Sequence, residues 1–393
     1  MTLALTKVNK GLLVRTRRLR EDLHRHPELA YQEKRTASLV ARALRKAGLD
    51  EVQTGLAETG VLGLLRGARP GRTVALRADM DALPIDEQTG LPYASVNKGV
   101  MHACGHDGHT AILLAVAELL VGLRERITGS VKFIFQPAEE GGVGGRRMAE
   151  AGCLKHPDVA AIFGLHSWST IRAGQIELSP TPNVAMNGFR MDIKGKGGHG
   201  AHPDVCVDPV VIGAQIITAA QTIVSRERRP DQPAVLSFCS FNAGTKDNII
   251  PDSARVLGTI RAMDMQTLRA VRRALGRLAT GVAASMRAQV TIVDSETYPP
   301  VRNDPGLLEL VRAVGIELLG KANVLPSREQ SMGSEDFAFY LSDQGGVPGV
   351  LFRLGVGGEA GLHTARFDFG SAALEPGILM LANVALRALE RGD

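Results

Sequence analysis

The hydrophobic and polar positions divide the chain into an outer part, which alternates helices with apolar strands, and an inserted part of different order. Residues 12–47 space their apolar side chains as helices do, with an interruption at Pro27, and the pattern predicts a helix that ends at residues 46–48. Short, almost continuously apolar runs follow, with helical patterns between the later ones. Such runs are typical of strands in a parallel sheet that is covered on both faces. They are residues 60–65, 73–78, 131–136 and 159–165.

The inserted part begins near Pro180, where the pattern changes. Its elements follow in the order strand, helix, strand, strand, helix, strand. This is the split-βαβ order, and about 110 residues suffice for a small domain of this kind. The elements are predicted at residues 189–195, 209–226, 234–241, 254–262, 264–284 and 288–293. The outer part then resumes with a helix at 305–319, a strand at 349–355 and a last helix from about 374.

We therefore predict an α/β fold. A discontinuous domain would contain a mostly parallel sheet flanked by helices, and an inserted split-βαβ (ferredoxin-like) domain would interrupt it. The predicted limits are residues 1–183 and 297–393 for the discontinuous domain and 184–296 for the inserted domain.

Composition and charge narrow the classes of function. A net charge of +5 is modest, and with 4% aromatic residues the chain offers no stacking platform for nucleic acid. The longest apolar run, residues 111–123, is short and contains Glu118, so we expect a buried helix and no membrane span. The N-terminus lacks the pattern of a signal peptide, and the 4 cysteines show no paired spacing. We therefore expect reduced thiols, a cytoplasmic protein, no nucleic-acid partner and no membrane partner.

Chemically active side chains follow the strands of the outer part. In open α/β sheets, ligands bind beyond the carboxyl ends of the strands, so residues that are distant in sequence can meet at one edge. The candidates are Asp79 and Asp81 after 73–78, Glu139 and Glu140 after 131–136, His166 after 159–165, and His363 in the loop beyond 349–355.

Cys104 and His106 form a Cys-x-His pair in a loop before a predicted helix at 109–122. On extended backbone, residues two apart face the same side. A thiolate with an imidazole suits Zn²⁺, Co²⁺, Ni²⁺ or Mn²⁺. The pair alone is equally typical of a loop cysteine beside a surface histidine, but together with the candidates at the strand ends it favours a metal site.

Glu139 and Glu140 follow Pro137, which ends a strand. Neighbouring side chains on extended backbone point apart. One carboxylate can therefore bind a metal ion while the other acts as general base towards a water molecule. The alternative is a pair of solvated surface acids, which the preceding buried strand makes less attractive.

The segment GKGGHG at residues 195–200 has the spacing of a dinucleotide-binding loop. No predicted helix opens on it, and Pro203 follows, so we do not expect a nucleotide cofactor. Two interpretations of His199 remain. It is either a loop histidine bonded to the backbone, or an imidazole that reaches from the inserted domain to the oxyanion of a substrate.

Several motifs together resemble the aminoacylase and carboxypeptidase-type dinuclear metallohydrolases. Within them the chain is most similar to the amidohydrolase branch of hippurate hydrolase and the plant auxin-conjugate hydrolases. The resemblance covers nearly the whole chain in order, and its HACGHDGH and PAEEG blocks are specific. The motifs are LHRHPEL, RADMDALP, MHACGHDGHT, FQPAEEGGVGG, GLH, KGGHGAHP, DNIIPDSA, GSEDF and LHTARFDF.

The resemblance implies two divalent metal ions per subunit, of which Mn²⁺, Zn²⁺, Co²⁺ and Ni²⁺ are the candidates. It implies Glu139 as general base and Asp81 as the residue that orients a metal-binding imidazole. Asp79 stands where many peptidase relatives have a histidine ligand, and Cys104 stands where they have a bridging aspartate. The implied ligands are Cys104, His106, Glu140, His166 and His363, and the implied substrate-side residues are His199, Asn248 and Arg261.

The function implied is metal-dependent hydrolysis of N-acyl amino acids of the hippurate type to a carboxylic acid and an amino acid. A di- or tripeptidase on the same scaffold and a non-catalytic metal-binding protein are the alternatives. The resemblance further implies a lid that also dimerises, so we expect a homodimer through the inserted domain, with a tetramer possible and His199 serving the partner's site. His24, His26, His109 and His202 are expected to be structural.

Overall fold

The chain divides into two compact units in a computed structural model that describes residues 5–327, 331–341 and 346–391. Unit 1 comprises Met1–Pro182, Val301–Gln330 and Asp336–Asp393, and unit 2 comprises Asn183–Pro300 and Ser331–Glu335. The roles of lid and dimerisation surface for the inserted part stay predictions.

Unit 1 is an α/β unit, formed by stretches of the chain that precede and follow unit 2 in the sequence. Its first part contains α1 (Lys10–Arg25), α2 (Lys34–Ala47), β1 (Glu51–Leu56), β2 (Gly60–Arg66), β3 (Arg69–Asp79), α3 (His106–Val121), β4 (Thr128–Gln136), the short α4 (Glu139–Gly142), α5 (Gly144–Glu150), β5 (Val159–Trp168) and β6 (Ile176–Leu178).

Unit 2 and the second part of unit 1 complete the chain. Unit 2 contains β7 (Ala185–Lys194), β8 (Gly198–His199), α6 (Pro209–Arg226), β9 (Ala234–Ala243), β10 (Ile249–Ile250), β11 (Ser253–Ala262), α7 (Met265–Ser285) and β12 (Gln289–Tyr298). Unit 1 resumes with α8 (Pro305–Leu319), β13 (Val324–Pro326), the short α9 (Ala338–Leu341), β14 (Gly349–Gly355) and α10 (Leu374–Glu390).

Several helix ends follow directly from local sequence. Asn9 caps α1 by accepting the backbone N–H of Gly11 at 2.7 Å, and α2 ends at Gly48, whose φ of 94° favours glycine. Asp304 caps α8, and Pro305 occupies its first position, where a missing N–H costs nothing. The predicted helix at 305–319 therefore agrees with the observed one.

The sheet of unit 1 has the strand order β1-β2-β4-β3-β5-β14-β6-β13. In its centre, β4, β3, β5 and β14 are neighbours and run parallel, whereas β1, β2 and β6 add antiparallel pairs. The mostly parallel sheet was predicted, and the short strands β1, β6 and β13 were not. Because the four central strands are parallel, their carboxyl ends meet at one edge.

Apolar residues of this sheet alternate between two cores. Val74 and Leu76 of β3 belong to the large core with α3 and α10, whereas Ala75 faces a smaller core with Met148 and Phe337. Both faces are therefore covered, as continuous apolar strands predict.

Unit 2 contains a second sheet with the order β12-β7-β11-β9, in which all pairs are antiparallel. Its helices α6 and α7 pack on it through a core of their own. Asp208 and Asp264 cap these helices with their side chains. The strand order is that of the split-βαβ fold.

One helical stretch, Ser371–Glu390, is long and apolar enough to cross a membrane by length and composition alone. Within the fold, 78% of its apolar window is buried. It includes α10, which packs against α3 and α8 as a core helix.

Candidate metal centre and active site

The candidate residues of unit 1 lie at the edge where the central strands end. Asp79 is the last residue of β3, and Asp81 follows two positions later. Glu139 and Glu140 follow β4, and His363 lies in the loop after β14. His166 lies inside β5, which continues to Trp168.

The backbone at Cys104 differs from the predicted loop. Helix α3 begins at His106 and not at residue 109, and Gly105 between the two candidates has a φ of 86°. A Cβ on Gly105 would approach the Ser167 hydroxyl oxygen to 2.6 Å. The prediction of an extended Cys-x-His segment was therefore wrong, and a left-handed glycine makes the turn that brings both side chains together.

Two groups of potential ligands share Cys104. Cys104, His106 and His166 offer atoms that all lie within 4.8 Å of one another, and Cys104, Glu140 and His363 do the same. The Cys104 Sγ lies 3.5 Å from His166 Nε2, and His363 Nε2 lies 3.1 Å from Glu140 Oε1. Two overlapping groups with one common thiol are the arrangement that two neighbouring cations sharing a ligand require.

Unsatisfied buried atoms support this use of the cluster. His106 directs Nδ1 to the backbone carbonyl oxygen of Asp81 at 2.9 Å, which leaves Nε2 to face the cluster. Among the described residues, His106 Nε2 is buried without a hydrogen-bond partner, and so is Glu140 Oε1, whose approach to His363 Nε2 at 3.1 Å is not a hydrogen bond. Buried polar atoms without partners are costly, and a cation would satisfy both. The residues present therefore fit divalent metal ions.

The electrostatics of the cluster also call for positive charge. Burial raises the pKa of the Cys104 thiol well above its usual value, and the charges of Glu140, Glu139 and Asp79 raise it further. Burial lowers the pKa of His166 well below its usual value, so its imidazole is neutral and able to donate a lone pair. For His106, burial acts to lower the pKa, but the charges of Asp79 and Asp81 outweigh it and raise the pKa to about 10.

The acid pair follows an unusual backbone turn. Ala138 is left-handed, with φ 54° and ψ 46°, and Glu139 then begins a short helical turn. The extended backbone that the sequence predicted for the pair is therefore absent. Glu139 is 8% exposed, and Glu139, Glu140 and His106 offer ligand atoms within 4.8 Å of one another. Glu140 thus belongs to one of the two groups that share Cys104, and Glu139 lies beside them.

A buried hydrogen-bond network surrounds His109 and Asp79. His109 Nδ1 lies 2.6 Å from Asp79 Oδ1, and its Nε2 accepts the backbone N–H of Ser167 at 2.8 Å. Both ring nitrogens are therefore engaged, and His109 connects β3 with the strand that carries His166. Burial acts to raise the pKa of Asp79, but His106, Arg77 and His109 hold it well below its usual value.

A second network lies behind the start of α3. Arg20 donates Nε to Asp107 at 2.8 Å, and His24 Nδ1 lies 2.8 Å from the same carboxylate. His24 Nε2 also lies 3.3 Å from Glu87. Burial acts to lower the pKa of His24, but Asp107 and then Glu87 raise it to about 9. Asp107 directly follows His106, so this network fixes the first turn of the helix.

The substrate-side candidates all lie in unit 2. His199 is exposed and pairs with Ile249 between β8 and β10, and the Asn248 carbonyl accepts the N–H of Gly200 at 2.9 Å. His199 and Asn248 are therefore neighbours. Arg261 lies on β11, is partly buried, and donates Nη1 to the Met332 carbonyl at 2.7 Å.

Two buried residues that contact the site, Arg77 and Glu33, were not identified from the sequence. Arg77 is 1% exposed and donates to Asp79 at 2.6 Å, to Asp336 at 2.9 Å and to Gln136 at 2.8 Å. Its signal was available, because an arginine inside an apolar strand needs a buried partner. Glu33 is fully buried beside Ala138, and its position in a helical pattern gave no sign of that contact.

Comparisons with known proteins show which family this sequence resembles. The family model described as peptidase family M20/M25/M40 matches residues 75–387. An N-acetylcysteine deacetylase of Bacillus subtilis is 39% identical over 97% of this chain and 99% of its own length. A thermostable carboxypeptidase 1 of Saccharolobus solfataricus is 39% identical over 94% of both chains.

A plant protein and a solved structure extend the comparison. An IAA-amino acid hydrolase ILR1-like 4 of Arabidopsis thaliana is 36% identical over 94% of this chain and 85% of its own length. The crystal structure of Bacillus subtilis YXEP protein, described as a dinuclear metal binding peptidase from the M20 family, superposes with a TM-score of 0.83. It is 36% identical over 97% of this chain and 99% of its own.

Proposed function

Because this chain belongs to the peptidase family M20/M25/M40, we propose that it hydrolyses the amide bond of N-acyl amino acids, releasing a carboxylic acid and an amino acid. The names of two relatives, an N-acetylcysteine deacetylase and an IAA-amino acid hydrolase, describe substrates of this class. The chain is a metal-dependent hydrolase of amides by family. Our proposal goes further in naming N-acyl amino acids as the substrates, and hippurate-like compounds are among the candidate substrates.

One observation carries the proposal: Cys104 belongs to two ligand groups, and Glu139 lies beside them. We propose His106 and His166 as ligands of one cation, Glu140 and His363 as ligands of the other, and the Cys104 thiolate as the ligand that both share. Mixed thiolate, imidazole and carboxylate donors suit Mn²⁺, Zn²⁺, Co²⁺ or Ni²⁺.

When bound, two such cations would polarise the scissile carbonyl and lower the pKa of a water molecule. Glu139 would accept the proton of the attacking water and return it to the leaving amine nitrogen, a role that is typically worth about 10² to 10⁴ in rate. Its 8% exposure limits competition from bulk water. Asp81 would keep the His106 ring in its binding orientation through the bond to Nδ1.

We propose that residues of unit 2 bind the substrate. His199 would donate to the oxyanion of the tetrahedral intermediate, in the site of the partner subunit of a homodimer formed through unit 2. Arg261 would pair with the free carboxylate of the amino-acid half, because its planar fork matches a carboxylate, and Asn248 would contact the substrate beside His199. We also propose a cytoplasmic location, because the spacing of the 4 cysteines in the sequence does not indicate a disulfide framework.

A di- or tripeptidase is the second candidate, because one relative is named a thermostable carboxypeptidase. Both activities need the same metal centre, so only the substrate separates them. In a peptide, a charged amino terminus or further residues replace the simple acyl group on the scissile amide.

A turnover screen with the metal-reconstituted protein tests the proposal. N-acetyl, N-benzoyl and N-indole-acetyl amino acids are compared with di- and tripeptides, each with Mn²⁺, Zn²⁺, Co²⁺ or Ni²⁺. We expect hydrolysis of N-acyl amino acids, and slower hydrolysis when the free carboxylate is converted to an amide. Peptide hydrolysis without any N-acyl hydrolysis contradicts the proposal and favours the peptidase.

A further inference from the structure

The loop that carries Glu139 and Glu140 begins with a residue in an unfavourable conformation. Ala138 has φ 54° and ψ 46°, a region that crowds the Cβ of every residue except glycine. It is also fully buried, so its backbone N–H has no water to bond. Both features require a protein group that holds Ala138 in place.

Glu33 is that group. Its Oε1 accepts the Ala138 N–H at 2.9 Å, and its Oε2 accepts the hydroxyl of Thr59 at 2.6 Å. Glu33 is itself fully buried at the start of α2, far from the acid pair in sequence. Its carboxylate therefore joins α2, the hairpin turn at Thr59 and the loop after β4 at one point.

Other side chains hold the rest of the loop. Asp81 Oδ2 accepts the N–H of Glu140 at 2.9 Å, and Asp336 Oδ2 accepts the N–H of Gly145 at 2.7 Å. Tyr31 donates its hydroxyl to the carbonyl of Gly142. The Ala138 carbonyl accepts the N–H of Gly144 within the loop at 3.1 Å, whereas Glu33 bonds the Ala138 N–H from outside the loop. Glu33 therefore acts on the residue directly before Glu139, where the backbone direction of Glu139 is set.

We propose that Glu33 is a positioning residue for the Glu139–Glu140 pair. It acts by holding Ala138 in its left-handed conformation, and it touches neither substrate nor metal. The inference rests on the roles proposed for Glu139 and Glu140. An error of about 1 Å in the position of a catalytic group costs up to about 10²-fold in rate, so the hold on Ala138 affects turnover more than binding.

Four variants test the proposal against a purely structural role. Glu33→Ala removes both hydrogen bonds, and Glu33→Gln keeps an oxygen that can accept the Ala138 N–H. Thr59→Val is the matched control, because it removes the bond to the other carboxylate oxygen and leaves Ala138 bonded. Glu33→Ala combined with Ala138→Gly lets residue 138 adopt its positive φ without a Cβ.

We expect Glu33→Ala to lower kcat by about tenfold or more, with KM changed less than about threefold. Glu33→Gln and Thr59→Val should keep kcat within about threefold of the original protein, although Thr59→Val lowers the melting temperature. The double variant should have a kcat at least about threefold higher than that of Glu33→Ala. Should Glu33→Ala fail to fold, Glu33→Asp replaces it, because the shorter side chain withdraws the carboxylate from Ala138.

Two results would overturn the proposal: a folded Glu33→Ala protein with unchanged kcat, or equal losses of kcat in Glu33→Ala and Thr59→Val. Metal content after dialysis gives a readout that does not depend on activity. We expect Glu33→Ala to retain fewer ions than Thr59→Val, because Glu140 moves with the loop. If the original protein hydrolyses no N-acyl amino acid, the proposed function fails. Metal retention then tests the role of Glu33 by itself, and equal retention in Glu33→Ala and Thr59→Val would overturn that role.

Discussion

The carboxylate of Asp81 accepts the backbone N–H of Glu140, with Oδ2 2.9 Å from the nitrogen. The backbone carbonyl of Asp81 lies 2.9 Å from His106 Nδ1. Asp81 therefore holds two candidate ligands in place, His106 at the start of α3 and Glu140 in the loop after β4. The sequence implied only an orienting role towards an imidazole, and the contact with the acid pair emerges from the fold.

Glu139 and Glu140 should separate by role. We expect Glu139→Gln to keep both metal ions and to lower kcat by at least about 10², because an amide cannot accept a proton at neutral pH. Glu140→Gln should instead lose metal, because it removes a charged ligand. Metal analysis after dialysis, paired with turnover, checks this. Equal metal loss in the two variants would show that the roles are assigned wrongly.

Cys104 should be a thiol that bound metal protects. A coordinated thiolate is deprotonated and shielded, so a thiol reagent should label Cys104 slowly until a chelator is added. Cys239 is exposed and provides the internal control, since its labelling should not depend on the chelator. Mass spectrometry of labelled peptides measures both sites. Equally fast labelling of Cys104 with and without metal would exclude it as a ligand.

The buried network of His24 should make stability depend on pH. A pKa raised from 6.5 to about 9 means that protonated His24 stabilises the fold fully below pH 6.5, and that this contribution disappears as the pH rises through about 9. The whole effect is at most about 3 kcal/mol. Urea unfolding of the original protein and of His24→Gln should therefore differ most near pH 6 and least near pH 9.5.

His26→Gln is the control for this measurement, because His26 follows the end of α1, is partly exposed and contacts the backbone carbonyl of Asp22. Its difference from the original protein should stay small at each pH. A difference for His24→Gln that grows as the pH rises would contradict the assignment of a protonated, buried His24.

The sequence predicted the elements that have a clear apolar pattern, and it did not predict the turns that depend on distant contacts. The longer strands of unit 1, which are β2 to β5 and β14, and the helices of unit 2 were predictable, because continuous apolar runs and helical patterns report burial directly. Helix α3 was placed to begin at residue 109 and not at His106, because a polar, histidine-rich first turn carries no apolar period. The turn at Ala138 was equally hidden, since an alanine gives no sign of positive φ, and its bond to Glu33 joins residues that are distant in the sequence.

His199 should act in the site of the partner subunit. Mixing two inactive dimers, Glu139→Gln and His199→Ala, under conditions that exchange subunits should produce about half mixed dimers. Each mixed dimer would contain one complete site, so about a quarter of all sites should regain activity. Mass-tagged subunits confirm the exchange. No recovery with proven exchange would show that His199 acts within its own subunit or only in the fold.

The most direct test of the account is a metal titration of the metal-free protein, with hydrolysis of an N-acyl amino acid from the turnover screen as the readout. Shared coordination by Cys104 predicts that activity rises to a plateau at about two equivalents of metal per chain. Cys104→Ala should show no such plateau, because both ligand groups lose a member. Full activity without metal, or an unchanged titration of Cys104→Ala, would contradict a dinuclear centre that shares this thiolate.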